Sequence, residues 1–297
     1  MKGILLAGGT GSRLFPMTLG VNKHLLVIYD KPLIYYPLAT LMLANIRDIL
    51  LICRPQDEEL FRNVLGDGSR LGITITYRHQ DEPRGIPETF IIGRDFIEGH
   101  RCVLALGDNV FFGDDFRKIL HRAASQERGA TIFGYWVSDP QRFGVVEFES
   151  KHVADGINKV LSIEEKPRKP RSNYAVPGLY YYDEQVADVA AGLRPSARGE
   201  LEITDVNRWY LERGLLNVIR LGRGFAWLDA GTADALLDAS NYIATIERRQ
   251  GLKIACIEEI AWYQGWIDKA QLVRLGEEIA KSTYGKYLLD LAASEFR

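Results

Sequence analysis

The first half of the chain alternates short apolar runs with amphipathic stretches, and this alternation limits the possible folds more than any other feature. Strands are predicted for the runs Gly3–Ala7, Asp48–Cys53, Ile73–Tyr77, Cys102–Leu106 and Thr131–Trp136. Helices are predicted for the stretches Tyr36–Ala44, Gln56–Leu65, Glu88–Phe96 and Phe116–Ser125. Strands that alternate with helices form parallel sheets covered on both faces. We therefore expect an α/β fold of Rossmann-like type, with a mostly parallel mixed sheet and flanking helices.

The pattern changes after about Phe143. Short β-like runs follow at Gly144–Phe148, Lys159–Ile163 and Ala175–Tyr182. Helices are predicted at Thr204–Glu212 and at Ala233–Gln250, the longer of which Gly251 ends, and residues 257–291 are helical and amphipathic in pattern. We expect one domain over residues 1–250 and a C-terminal helical appendage over residues 251–297 that serves subunit or regulatory contacts.

Composition and charge exclude several classes of function. A formal net charge of -2 over 297 residues argues against binding to bulk nucleic acid, which favours a strongly basic surface. No stretch approaches the length of a membrane span, and the N-terminus lacks the pattern of a secretory signal. Cys53, Cys102 and Cys256 are odd in number and far apart, so we expect reduced thiols in a cytoplasmic protein.

The first predicted strand opens into a glycine-rich turn, Gly8-Gly9-Thr10-Gly11-Ser12, followed directly by Arg13. Bare backbone N–H groups and a guanidinium suit phosphate, although a tight turn that merely holds glycines is the plain alternative. The P-loop pattern is absent, and the dinucleotide pattern is half met, with Leu14 at its third glycine and Asp30 near the place of a ribose-binding acid. A second cation, Lys23, fits a triphosphate better than a dinucleotide.

Five motifs in a fixed order carry a resemblance to a known family. The run GGTGSRLFPMTLGVNKHLLVIYDKP resembles the signature of the sugar-nucleotidyltransferases. The other four motifs are Leu106-Gly107-Asp108-Asn109, Glu164-Glu165-Lys166-Pro167, the run from Ser196 to Asp205, and Trp227-Leu228-Asp229-Ala230-Gly231-Thr232. The likeness runs almost from end to end and is greatest to the short bacterial members of the family.

That resemblance implies an enzyme that transfers a deoxythymidylyl group from dTTP to α-D-glucose 1-phosphate, giving dTDP-glucose and pyrophosphate. It implies the first step of dTDP-rhamnose and other deoxysugar synthesis for surface polysaccharide, in a cytoplasmic homotetramer. A regulatory nucleotide site at subunit contacts is also implied, with Phe112-Gly113, Arg223 and Cys256–Glu259 as candidate residues. The competing interpretations are an NAD(P)-dependent oxidoreductase, which Leu14 opposes, and a nucleotide-sugar sensor without activity.

Nucleotidyl transfer joins two anions, so the site needs a hard divalent cation and cationic side chains. The resemblance implies that Asp108 and Asp229 are the two carboxylates that bind Mg²⁺. The pairing comes from the resemblance alone, because 121 positions separate the two residues and their spacing does not relate them. It also implies that Arg13 and Lys23 hold the triphosphate and stabilise the pyrophosphate leaving group. We expect Arg13, Lys23, Asp108 and Lys166 to be catalytic.

The remaining site residues are likewise assigned by resemblance. Lys166 and Arg198 match positions that hold the sugar phosphate, and Glu165, Gly144 and Asn173 match positions that bind the sugar. For the nucleotide we expect the glycines of the loop, Asp108, and a base pocket of Gln80 and Gly85.

The chain departs from the family pattern beside this base pocket. Where the family has Gly-Leu-Ala-Gln, this chain has Gly85-Ile86-Pro87-Glu88. His24 replaces a common glutamine and Ala230 a threonine. The metal and phosphate positions are intact, so these departures bear on the choice of base and sugar: a modified hexose, a second base, or some use of UTP.

Overall fold

The computed structural model describes residues 1–149, 156–197 and 199–294. Its strands are β1 (Lys2–Ala7), β2 (Val27–Ile28), β3 (Lys31–Pro32), β4 (Asp48–Cys53), β5 (Thr74–His79), β6 (Cys102–Leu106), β7 (Asn109–Gly113), β8 (Ala130–Trp136), β9 (Gly144–Phe148), β10 (Ile157–Glu165), β11 (Tyr174–Ala175), β12 (Leu179–Tyr182), β13 (Leu216–Leu221) and β14 (Phe225–Asp229).

The helices lie between these strands and after them. They are α1 (Tyr35–Leu43), α2 (Glu58–Leu65), α3 (Glu88–Ile92), α4 (Arg94–Ile97), α5 (Phe116–Ala124), α6 (Val186–Ala191), α7 (Ile203–Glu212), α8 (Ala233–Gln250), α9 (Ile257–Tyr263), α10 (Lys269–Glu278) and α11 (Thr283–Ala293). Short 3₁₀ turns occur at Ser12–Leu14, Lys23–Leu25, Pro55–Asp57, Ser69–Leu71 and Pro140–Arg142.

Ten strands form one mixed sheet in the order β11-β9-β10-β13-β8-β12-β6-β1-β4-β5. Neighbours run parallel from β6 through β1 and β4 to β5, and β13 runs parallel to β8. The short strand β12 is antiparallel to both β6 and β8, and β9, β10 and β11 add further antiparallel pairs. The expected α/β fold with a mixed sheet is therefore confirmed, but the sheet is not mostly parallel: along this order five neighbouring pairs are antiparallel and four are parallel. Three of the four parallel pairs lie in the N-terminal half. Two small ribbons, β7 with β14 and β2 with β3, stand outside the sheet.

Both faces of the sheet are buried under helices. Along β1, Ile4 belongs to the core on one face and Leu5 to the core on the other, because successive side chains of a strand point to opposite faces. Leu288 of α11 lies in the same core cluster as Leu5, so the C-terminal helices contribute to the main core. Full burial of each such side chain contributes about 1.5–3 kcal/mol to stability.

Four charged side chains in close contact join the β2–β3 hairpin to the end of α8. Lys31 Nζ lies 2.5 Å from Asp30 Oδ1 and 2.9 Å from Glu247 Oε1. Lys253 Nζ lies 3.0 Å from Glu247 Oε2 and also contacts Asp30. The Lys31 and Glu247 side chains are 2% and 4% exposed. Two positive and two negative charges thus neutralise each other away from solvent.

The local pattern predicted most elements within a residue or two, and the exceptions have physical reasons. The stretch predicted as one helix over 88–96 is two helices, because Gly93 breaks it between α3 and α4. The run 175–182 is two strands, interrupted at residues 176–178 by a proline and a glycine. The helix predicted from Gln56 begins as a 3₁₀ turn at Pro55. The elements that were not predicted are the strands β2, β3, β7, β13 and β14 and the helix α6.

The cysteines and the helices bear on two further expectations. Cys53, Cys102 and Cys256 are buried free thiols, as expected. None of the helices in the described ranges is long and apolar enough to span a membrane.

Candidate active site

Two parallel neighbours in the sheet bring the glycine-rich turn and Asp108 to one edge. Strands β1 and β6 pair in register, with Leu6 opposite Leu106, and the Gly107 N–H donates to the Leu6 carbonyl over 2.8 Å. The turn after β1 and the turn after β6 therefore start side by side. Ligands of open α/β sheets bind at such carboxyl edges.

The glycine-rich turn is shaped by close neighbours. Gly11 has a positive φ of 66°, and the Thr18 hydroxyl donates to its carbonyl over 2.8 Å. A Cβ at Gly8 would lie 2.7 Å from Gln80 Oε1, and a Cβ at Gly9 would lie 3.1 Å from Lys23 Cε. The bare backbone of the turn therefore lies directly against two of the predicted nucleotide-binding side chains.

Both carboxylate oxygens of Asp108 accept a hydrogen bond. Lys23 Nζ lies 2.5 Å from Oδ2, and the Asn109 amide donates to Oδ1 over 2.8 Å. Asn109 Oδ1 in turn accepts from Trp227 Nε1 at 2.6 Å and from the Gly178 N–H at 2.9 Å, which fixes the direction of its amide. Burial alone would raise the pKa of Asp108, but the Lys23 charge and these hydrogen bonds keep it well below its usual range.

Asp229 reaches the same place through the small β7–β14 ribbon. Asp229 pairs with Asn109 in that ribbon, and the Ala230 N–H donates to the Asp108 carbonyl over 2.9 Å. Within the described parts of the chain, the Asp229 carboxylate has no hydrogen-bond or ion-pair partner. Burial and the negative charge of Asp108 raise the pKa of Asp229. Two neighbouring carboxylates, one without a partner, are a donor set that suits Mg²⁺ beside substrate phosphates.

The guanidinium of Arg13 lies near the Asp229 carboxylate. A Cβ built at Gly231 would be 3.1 Å from Arg13 Nη2 and 3.3 Å from Asp229 Oδ1, so both side chains lie against this glycine. The Arg13 side chain is exposed at the end of the glycine-rich turn. An exposed guanidinium beside a carboxylate pair is available to phosphate oxygens.

A cavity of about 280 Å³ continues from these carboxylates toward the sugar-binding candidates, with Gly144, Glu165 and Lys166 in its wall. Glu165 Oε2 accepts from the Thr204 hydroxyl over 2.6 Å, and Lys166 Nζ lies 3.6 Å from Glu165 Oε1. Lys166 has a φ of 43°, a conformation that costs a non-glycine residue of order 1–3 kcal/mol. Strain of this kind occurs where surrounding structure and function require one backbone direction.

The base-reading candidates lie beyond the glycine-rich turn. Gln80 Nε2 donates to Glu88 Oε2 over 2.8 Å and to the Gly85 carbonyl over 3.2 Å. Gly85 has a φ of 110°, and a Cβ there would lie 2.1 Å from the Leu201 carbonyl oxygen, so only glycine fits. Ile86, the next residue, lines the same cavity as Asp108.

Two predicted sugar-phosphate residues are not brought into this arrangement by the described structure. The Asn173 amide donates to the Val137 carbonyl over 2.9 Å, and Asn173 is not among the cavity-lining residues described. Arg198 lies outside the described residues.

Residue-by-residue reasoning missed Arg142 and the role of Asn109. Arg142 lines the cavity, and its charge acts on Asp229 by lowering the carboxyl pKa against the stronger effect of burial. It lies in a 3₁₀ turn before β9, where no periodicity or motif marks it. Asn109 belongs to a motif that the sequence does show, but its contacts with Trp227 and Gly178 depend on distant parts of the chain.

The candidate regulatory residues fall into two separate cavities. Phe112, Gly113 and part of the 256–259 segment line one cavity of about 510 Å³, while Arg223 lines another of about 680 Å³ beside Trp136. A single chain therefore brings the first two groups together without Arg223.

Comparison with known proteins places this site in a family. The family model described as "Nucleotidyl transferase" matches residues 2–246. The chain belongs to the nucleotidyl transferase family and is an enzyme of that class.

Its relatives within the family are close. The chain is 56% identical over 291 residues to the glucose-1-phosphate thymidylyltransferase of Xanthomonas campestris pv. campestris (strain B100), covering 98% of this chain and 97% of the relative. It is 55% identical over 295 residues to that of Mycolicibacterium smegmatis, covering 99% and 100%. Its fold matches the crystal structure of a Bacillus anthracis protein in complex with a sucrose, with a TM-score of 0.74, 42% identity, and coverage of 82% of this chain and 94% of that one.

Proposed function

We propose that this enzyme joins the deoxythymidylyl group of dTTP to α-D-glucose 1-phosphate and releases pyrophosphate. The observation that carries the proposal is the placement of Asp108 and Asp229 side by side, with Lys23 and Arg13 around them, at the mouth of a polar cavity. Two anionic substrates can approach each other only where such cations offset their repulsion. The named activity of the relatives supports this choice of substrates.

The reaction forms one P–O bond and breaks another. An oxygen of the sugar phosphate attacks the α-phosphorus of dTTP, and the bond from that phosphorus to the bridging oxygen of pyrophosphate breaks. Both reacting groups are already ionised, so no proton transfer is needed. The protein acts by orientation and charge: Lys23 and Arg13 bind the triphosphate, and Lys166 binds the attacking phosphate.

Asp108 and Asp229 would hold Mg²⁺, consistent with the nearness of the two carboxylates that raises the pKa of Asp229 through the Asp108 charge. When bound, Mg²⁺ supplies positive charge to the phosphate oxygens during transfer. Asn109 keeps Asp108 oriented for this task. Before substrates and metal bind, Lys23 offsets the Asp108 charge, which lowers the free-energy cost of burying that carboxylate.

Other residues bind the base and the sugar of the substrates. Gly85, the residue before Ile86 of the cavity wall, binds the base together with its hydrogen-bond partner Gln80. Glu165, which lies in the cavity wall and is supported by Thr204, accepts from sugar hydroxyls. Uracil differs from thymine by one methyl group, which contributes only about 1 kcal/mol of discrimination, so slower turnover of UTP is expected.

Pyrophosphate release with Mg²⁺ and glucose 1-phosphate, compared for dTTP, UTP, CTP, ATP and GTP, tests the proposal. We expect rapid turnover with dTTP, slower turnover with UTP and negligible release with the others. Asp108→Asn should lower kcat about 100-fold or more, whereas Asp238→Asn, a matched change on the exposed face of α8, should not. Wild-type rates in Asp108→Asn would refute the metal assignment. No release with any triphosphate would favour the sensor interpretation.

The product would supply deoxysugars such as dTDP-rhamnose for polysaccharide synthesis. This role, the homotetramer, the cytoplasmic location and the regulatory nucleotide site stay predictions from the resemblance. So does the division into residues 1–250 and 251–297.

A further inference from the structure

The side chain of Glu88 lies directly behind the base-reading amide of Gln80. Glu88 is the first residue of α3 and departs from the family pattern noted above. Its Oε2 accepts from Gln80 Nε2 at 2.8 Å, and its Oε1 lies 3.8 Å from Arg84 Nη1. The Glu88 side chain is 17% exposed, and Gln80 is 6% exposed. The contact is therefore largely shielded from solvent.

These contacts use both N–H bonds of the Gln80 amide. One points to Glu88 and the other to the Gly85 carbonyl, which lies 3.2 Å away. Both partners are acceptors, so they determine which end of the amide carries nitrogen. The oxygen, Oε1, is turned toward Gly8 of the glycine-rich turn, and no donor from the described residues reaches it.

A reversed amide would be strongly disfavoured at this position. It would place Oε1 against the Glu88 carboxylate and the Gly85 carbonyl, and an ionised carboxylate can only accept. A glutamine at position 88 would not impose the same choice, because its own amide can present either oxygen or nitrogen. The carboxylate of Glu88 therefore orients Gln80 in a way that a neutral amide does not.

The oxygen of Gln80, an acceptor without a donor among the described residues, matches some bases and opposes others. Thymine and uracil carry an N3–H between two carbonyls, which can donate to Gln80 Oε1. Cytosine carries a lone pair at N3, so two acceptors would face each other in a pocket with little water. Polar groups left unpaired in such a site give large discrimination.

We propose that Glu88 is a positioning residue that locks the Gln80 amide with its oxygen toward the base and thereby selects pyrimidines with an N3–H over cytosine. The inference rests on the proposed function, since it requires that Gln80 faces the base of a bound nucleotide.

Equilibrium binding tests it without depending on turnover. Isothermal titration calorimetry with dTTP and with dCTP, both with Mg²⁺, gives the ratio of the two Kd values for wild type, Glu88→Ala and Glu88→Gln. We expect this ratio to fall about tenfold in both variants, mainly because dCTP binds more tightly than before. Glu82→Gln is the matched control: Glu82 is 71% exposed, lies on the same loop and should leave the ratio unchanged.

The outcomes separate this inference from the proposed function. An unchanged ratio in both variants, or equal weakening of both nucleotides, would overturn the role of Glu88. Equal affinity of the wild type for dTTP and dCTP would do the same. Preferential dTTP binding by a wild type that forms no dTDP-glucose would instead contradict the proposed reaction and leave base selection standing. Thermal melting checks each variant for folding, and Glu88→Gln preserves the side-chain volume if Glu88→Ala fails to fold.

Discussion

Acidification should destabilise this protein through one buried ring, that of His24. His24 lies in the 3₁₀ turn beneath the glycine-rich turn and is 2% exposed. Its Nδ1 is 2.7 Å from Asn22 Oδ1. The Asn22 amide nitrogen donates to Asp57 at 2.6 Å and to the Ala7 carbonyl at 3.3 Å, so its oxygen faces the ring. A neutral His24 ring with its hydrogen on Nδ1 can donate that hydrogen to Asn22 Oδ1.

The pKa of His24 gives the size of the effect. Burial, reinforced by the Lys23 charge, lowers it from 6.5 to about 3, although Asp108 and the Ala7 carbonyl act in the opposite sense. Below pH 6.5, His24 is therefore protonated in the unfolded chain but stays neutral in the folded chain until the pH approaches 3. Stability contributed by the neutral ring is present above pH 6.5 and is lost as pH falls toward 3. Between pH 7 and pH 5 the free energy of unfolding falls by about 2 kcal/mol through His24, at about 1.36 kcal/mol per pH unit.

Urea denaturation at pH 7 and pH 5, for wild type and His24→Gln, measures this loss. Other groups titrate in both proteins, so the difference between their pH dependences isolates His24. We expect wild type to lose about 2 kcal/mol more than His24→Gln, whereas His121→Gln, an exposed change on α5, should follow wild type. Parallel pH dependences for wild type and His24→Gln would refute the claim that the folded protein keeps this ring neutral.

Three further predictions concern the site and its support. Asn109→Ala should lower kcat about 10- to 100-fold with little change in KM for dTTP, because the neighbouring carboxylate loses its orientation; unchanged steady-state kinetics would contradict this. Gly85→Ala should weaken dTTP binding and lower the free energy of unfolding by more than about 1–3 kcal/mol, because it adds a steric clash to backbone strain. Gly99 has a φ of 69°, and a Cβ built there would meet no atom within 4 Å, so Gly99→Ala should show the effect of backbone strain alone. Lys31→Met should cost about 3–5 kcal/mol in urea denaturation, and adding Glu247→Leu should recover part of it; simple additivity of the two changes would be evidence against coupling.

Much of the fold could be predicted because its signals are local. The apolar runs of β4 and β6 have the predicted bounds, and Gly251 ends α8 where its sequence indicates. Gly8 and Gly107 lie at one edge of the sheet because each follows a strand and neighbouring parallel strands end together, as the β1–β6 register shows.

The rest of the site depends on contacts between distant parts of the chain. Asp108 and Asp229 meet through the β7–β14 ribbon, and no periodicity relates the two strands. Only the resemblance paired these carboxylates. Arg142 enters the site from a turn with no motif, and the Glu88 contact with Gln80 required knowledge of side-chain directions. Spacing along the chain carries no information about any of these contacts.

The shared core of the first strand and the last helix has a consequence for synthesis. Leu5 and Leu288 belong to one core cluster, so this cluster stays incomplete until α11 has been made. At about 5–20 residues per second, the stretch from Leu5 to Leu288 takes on the order of 15–60 s to make. Throughout that interval the cluster lacks its α11 residues, and the apolar side chains that pack against α11 are accessible to chaperones and to other nascent chains. A polypeptide that stops just before α11 would contain every residue of the proposed active site and an incomplete core cluster.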